Sequence, residues 1–121
     1  MVEQRPMDFP RIVRLCTARD YEFVFDSAQR SRDAGFTVLA RRGTHGFARL
    51  GLAISKRQVR DAVGRNRIKR AVRENFRRCR AELSDLDIVV MAKGGVEHWP
   101  TKAMNESLTR HWNKVMEKCL T

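Results

Sequence analysis

The sequence predicts an α+β fold: a small central β-sheet packed with three helices in one domain. Three observations carry this expectation. Ile68, Val72, Phe76, Cys79 and Leu83 recur at helical spacing, steps of four, four, three and four, and so mark one buried stripe of a long helix. Asp87-Ile88-Val89-Val90-Met91-Ala92-Lys93 is a near-continuous apolar run bounded by Ser84-Asp85 and Gly94-Gly95, as expected of an interior strand covered on both faces. Two further β-like runs precede the long helix, and another amphipathic stretch closes the chain. A length of 121 residues suits a single domain with a real core, and there are no internal repeats or interdomain linkers.

Each element has its own local cause. Residues 1–14 mix prolines, charges and isolated apolar residues without a period, which predicts an irregular N-terminal arm ahead of a domain spanning 15–121. Thr17 with Asp20 three places on has the pattern of an N-cap, so a first helix is expected over about Ala18–Ala28. Tyr21 and Phe25 share one of its faces, Val24 and Ala28 a neighbouring one. Phe36–Arg41 and Phe47–Ser55 read as strands, and the Gly43-Thr44-His45-Gly46 cluster between them predicts an antiparallel hairpin. The long helix is expected over Asp61–Glu82. Val59, Ala62 and Val63 lie out of phase with its stripe, so either it starts near Asp61, a good N-cap, or its first turn packs elsewhere. Gly64 marks a weak point or a close backbone approach. After the apolar strand, Pro100-Thr101 introduces a last helix over about Lys102–Lys118, with Met104, Leu108, Trp112, Val115 and Met116 near one stripe.

Charge points to a polyanionic partner. Twenty-five Lys and Arg against 14 Asp and Glu give +11 and a pI near 10.8. Lys56–Arg80 alone holds eleven cations against two anions, so +9 of the excess is one patch. Three separated cysteines fit neither a zinc cluster nor a disulfide framework. No signal-peptide pattern or membrane-length apolar run is present, which leads to the expectation of a soluble, cytoplasmic protein. A protein-borne active site is not expected. His45, His98 and His111 are placed in a turn, a loop and a surface helix position; Ser55 lacks an evident base; no phosphate loop or metal spacing occurs. Arg65-Asn66-Arg67, by contrast, offers two guanidinium forks about an amide, a pattern suited to phosphates.

Gly51-Leu52-Ala53-Ile54-Ser55-Lys56-Arg57, then Ala62-Val63, Arg65-Asn66-Arg67-Ile68-Lys69-Arg70, Arg73-Glu74 and Phe76, closely resemble the bacterial ribonuclease P protein subunit family. Arg14-Leu15, Asp20-Tyr21, Val24-Phe25 and the Asp87–Lys93 strand extend the resemblance over about residues 11–118. It implies a left-handed βαβ crossover, against the usual hand, in a fold like that of a domain of a small-subunit ribosomal protein. It implies partnership with a catalytic RNA subunit that removes the 5′ leader of precursor tRNA using magnesium held mainly by RNA, with no catalytic residue and no obligate protein partner on this chain. Arg65, Asn66, Arg67, Lys69, Arg70 and Arg73 would face the RNA subunit. Tyr21, Phe25, Phe36, Lys56 and Lys93 would line the cleft for the single-stranded leader, aromatic faces with cations being apt for sequence-tolerant binding. Arg60, Gly64 and Ala71 depart from the family pattern around the first turn of the long helix. A structural RNA-binding protein of ribosomal type is the competing reading; a DNA-binding regulator is weaker, because no tight helix-turn-helix precedes the basic helix.

Overall fold

The computed structural model describes residues 13–120. The order is α1 (Ala18–Asp26), β1 (Gln29–Arg32), β2 (Phe36–Arg42), β3 (Arg49–Ala53), α2 (Ala62–Cys79), β4 (Leu86–Ala92) and α3 (Thr101–Leu120), with short 3-10 turns at Arg80–Glu82 and Val96–His98. Of the expected arm, residues 1–12 lie outside the described part. Val13 is buried in the core, and Arg14 bridges Leu50 in parallel, so the chain is already held to the sheet there.

The four strands lie in the order β1-β2-β4-β3. The expected β2–β3 hairpin is therefore wrong: β4 enters between the two runs, antiparallel to β2 and parallel to β3. The cause is the apolarity of β4, all but one of whose residues are buried. Such a strand needs hydrogen-bonded neighbours on both edges and cover on both faces, which only a central position supplies. β3, α2 and β4 thus form a βαβ unit of adjacent parallel strands. β1, sequence Gln-Arg-Ser-Arg, carries no apolar signal and was not expected; it is an exposed edge strand whose charges blunt further pairing.

Period-two alternation separates the two faces of the sheet. Phe36, Val38, Ala40, Leu50, Ile88 and Val90 join Ile68, Val72 and Phe76 of α2 and Met104, Leu108, Trp112 and Val115 of α3 in the main core. Leu39 and Val89 face the other way and pack with Leu15 and Val24 beneath α1. One polar group is built into the main core: the Asn75 side-chain oxygen accepts from Trp112 Nε1 at 2.6 Å, while its Nδ2 donates to Asn105. That pairing fixes α2 against α3 and satisfies the buried indole N–H.

The start of α2 resolves the phase slip. Asp61 caps the helix through Val63 N, Val59 precedes it and is fully buried, and Val63 is 73 % exposed. Gly64 marks a close approach, since a Cβ there would lie 3.2 Å from the Glu97 side chain. The helix ends at Cys79, about one turn earlier than expected, and its last turn tightens into 3-10 geometry that delivers Leu83 to the core.

Candidate nucleic-acid interface

With Ile68, Val72 and Phe76 buried, the cations of α2 are forced onto its two flanks and its outer surface. Lys69 and Arg73 turn toward α1. Together with Arg14, Tyr21, Leu50 and Leu52 they line a notch of about 140 Å³. Asn66, Arg67 and Arg70 turn the other way, along a groove shared with Thr101 and Met104 of α3. The six residues expected to meet RNA therefore do not form one flat strip.

The two guanidinium forks are also partly committed to the protein. Arg65 donates to the Val59 and Arg60 carbonyls at 2.9 and 2.7 Å, which holds the loop entering α2. Arg67 donates to the Glu97 carbonyl at 2.5 Å and ties α2 to the turn before α3. Asn66 stands exposed between them. Arg70 lies 3.5 Å from Glu74, a solvated i,i+4 pair of little energetic weight.

Across the notch, α1 begins with a full capping box between Thr17 and Asp20. The helix ends at Asp26, and the chain leaves directly for β1. Tyr21 lies over Gly51, where even a Cβ would come within 2.8 Å of the ring. Its hydroxyl donates to Leu52 O at 3.2 Å and accepts from Leu52 N at 3.0 Å. Anchored at its tip, Tyr21 offers a ring rather than a hydroxyl. Phe25, 49 % exposed, continues this aromatic flank with its centroid 6.4 Å away. Beside them the sheet surface is formed by Thr37, Met91 and Ala53, paired in register and half-buried.

Phe36 does not belong to this surface. It is fully buried on the opposite face, edge-on to Trp99 and His111. Thr37, not Phe36, faces α1, because successive strand residues alternate between faces. Lys56 is exposed just after β3. Lys93 follows β4 at the same end of the sheet, but its ammonium donates to the Asp33 carbonyl at 2.5 Å.

Two charged networks were not foreseen. In the first, Arg49 grips Asp87 with Nε and Nη2, both at 3.0 Å, and reaches Asp20 at 3.5 Å. Although burial opposes its charge, Asp20 is held below its ordinary carboxylate value by the Cys16 and Thr17 amides and by Arg49. In the second, His111, expected at the surface, is only 3 % exposed. Its Nδ1 lies 2.7 Å from Ser31 Oγ; Nε2 sits 3.1 Å from Asp33 Oδ2, with no aligned hydrogen bond. Burial pushes His111 down against the pull of Asp33, with Arg110 and Lys93 adding to the downward shift. Burial also disfavours the Asp33 charge, yet Ser107, the Phe36 and Gly35 amides and His111 together bring it to about 2. No local pattern pointed to either network, whose members come from separate elements: Arg49 and Asp87 from β3 and β4, Ser31 and His111 from β1 and α3.

This second network predicts acid lability in two stages. His111 titrates below its unfolded value of 6.5, so its neutral form favours the fold, and the stability it contributes falls as pH drops below 6.5. Asp33, with an unfolded value of 3.8, contributes stability that is complete above about pH 4 and disappears as pH falls through about 2. Urea midpoints measured from pH 7.5 to 2 should show both declines, and His111→Asn should remove the first. Persistence of the first decline in that variant would assign it to another group.

Among the described residues no three His, Cys, Asp or Glu side chains cluster as a metal site, and no helix is long and apolar enough to cross a membrane. Cys16, Cys79 and Cys119 are free thiols. A basic helix flanked by an aromatic shelf, on a small mixed sheet, defines an α+β protein with the surface of a nucleic-acid binder. The ribonuclease P family pattern matches residues 9–116. The ribonuclease P protein component of Thioalkalivibrio sulfidiphilus is 47 % identical over 111 residues, 92 % of each chain, and that of Methylococcus capsulatus is 44 % identical over 92 % of this chain and 87 % of that one. The RNase P protein of Staphylococcus aureus superposes with a TM-score of 0.77 at 27 % identity, covering 84 % of this chain and 94 % of that one. For the Thermotoga maritima RNase P protein the TM-score is 0.74 at 27 % identity, over 84 % and 96 % of the two chains. The chain belongs to the ribonuclease P protein family.

Proposed function

We propose that this chain docks on the RNA subunit of ribonuclease P through α2 and holds the single-stranded 5′ leader of precursor tRNA on the Tyr21–Phe25 shelf. Cleavage of the phosphodiester belongs to the RNA and its magnesium ions; the protein supplies binding and orientation in a cytoplasmic ribonucleoprotein. The observation that carries the leader assignment is the double anchoring of the Tyr21 hydroxyl on Leu52. It fixes one ring face beside half-exposed Phe25 and within the notch that Lys69 and Arg73 also line. A rigid aromatic face accepts any base, and neighbouring cations track the backbone. The ribosomal-type alternative is not favoured, because the relatives named above are ribonuclease P proteins over most of their length.

Reconstitution tests this directly. Added to a matching RNA subunit at low magnesium, the protein should accelerate cleavage of precursor tRNA. Robust cleavage by protein without RNA would sink the RNA-catalyst mechanism. Tyr21→Ala should weaken binding of leader-bearing precursor by the ~1–3 kcal/mol typical of one stacked base, with little change for mature tRNA. Equal losses on both substrates would return Tyr21 to a purely structural role.

A further inference from the structure

α1 lies across the sheet, and its two flanks rest on different rows of residues. Tyr21 and Phe25 form one flank, beside the half-buried row Thr37–Met91–Ala53. Asp20 and Phe23, three residues apart, form the other. Beneath that second flank the strand register places Arg41 of β2, Asp87 of β4 and Arg49 of β3 in a single row, Arg41 opposite Asp87 and Asp87 opposite Arg49. All three point to the α1 face, as the odd-numbered positions of these strands do.

The two ends of the row hold the two halves of the helix. Arg49, gripped by Asp87, reaches the capping carboxylate of Asp20. Arg41 donates from Nη1 to the Phe23 carbonyl at 2.8 Å, and its guanidinium carbon stands 3.7 Å from the centre of the Phe23 ring. A guanidinium stacked on a ring while bonded to the same residue's carbonyl fixes both the height and the roll of a helix. Between the two clamps only Val24 seats fully into the layer below.

We infer that Arg41 and Arg49 are positioning residues for the leader shelf. They touch no substrate; by setting the roll of α1 from its charged flank, they keep Tyr21 and Phe25 at a fixed height above Met91 on the other. The inference rests on the leader-binding reading given above. Arg41 is the more informative of the two, because it is partly exposed and its loss leaves the Arg49–Asp87 pair intact.

The experiment uses the full chain assembled with its RNA subunit, and fluorotyrosine at Tyr21, the only tyrosine in the chain. Arg41→Met should shift and broaden the fluorine resonance of Tyr21. It should also lower the preference for leader-bearing over leaderless precursor by about three- to tenfold, with affinity for the RNA subunit unchanged; Arg41→Lys, which keeps a stacked cation, should recover much of both. An unmoved resonance in folded Arg41→Met overturns the inference. So does an unchanged leader preference, provided that Tyr21→Ala has shown that preference to depend on the shelf. If Tyr21→Ala leaves the preference intact, the leader reading itself fails, and the resonance alone then decides whether Arg41 positions the helix.

Discussion

Arg49→Met is expected to destabilise the fold by roughly 3–5 kcal/mol, the usual consequence of removing one partner from a buried ion pair. Asp87 is 1 % exposed, and its two carboxylate oxygens accept from the one guanidinium. Methionine would fill much of the arginine's volume but donate nothing, which leaves a desolvated carboxylate between β2 and β3. The same change frees Asp20, so the start of α1 loses its tie to the sheet. Urea unfolding followed by circular dichroism gives the loss directly. The double variant Arg49→Met with Asp87→Leu should recover most of it, because an apolar pair of similar volume carries no desolvation penalty. A single-variant loss below about 1 kcal/mol would mean that water reaches Asp87 and that the row contributes little.

Lys69→Ala combined with Arg73→Ala should weaken RNA binding and flatten its salt dependence, lowering the slope of log affinity against log salt by about 1.4–1.8 in magnitude. That figure is two phosphate contacts at about 0.7–0.9 each. Both residues lie on the flank of α2 that faces Tyr21, and neither is tied up as Arg65 and Arg67 are with backbone carbonyls. Removing Lys102 and Lys114, exposed on α3, provides a control of equal charge. A salt slope that moves equally in both double variants would reduce the role of Lys69 and Arg73 to that of general positive charge. Arg67→Ala differs in kind. It should cost stability as well as affinity, because the Glu97 carbonyl loses its donor.

The sequence by itself determined the parts of this protein that depend on neighbours along the chain. Thr17 and Asp20 capped α1, Asp61 capped α2, and the four-residue steps from Ile68 to Phe76 identified the face of α2 that is buried. The apolarity of β4 announced an interior strand, and the clustering of cations around α2 announced a polyanionic partner. These signals are local, with periods of two or 3.6 residues, and survive without knowledge of the partner element.

Strand order, the sorting of β2 side chains between layers and the charged row were decided only by tertiary structure. Alternation along β2 divides Phe36, Val38 and Ala40 from Thr37, Leu39 and Arg41, but both sets contain apolar residues, so the pattern does not say which set faces α1. The insertion of β4 beside β2 settles it, sending Phe36 to the main core and leaving Leu39 and Arg41 beneath α1. Arg41, Asp87 and Arg49 stand far apart in sequence and meet only because β4 separates β2 from β3. An ion pair between distant strands has no period, and His111 looks like any helix-surface histidine until Ser31 and Asp33 fold against it.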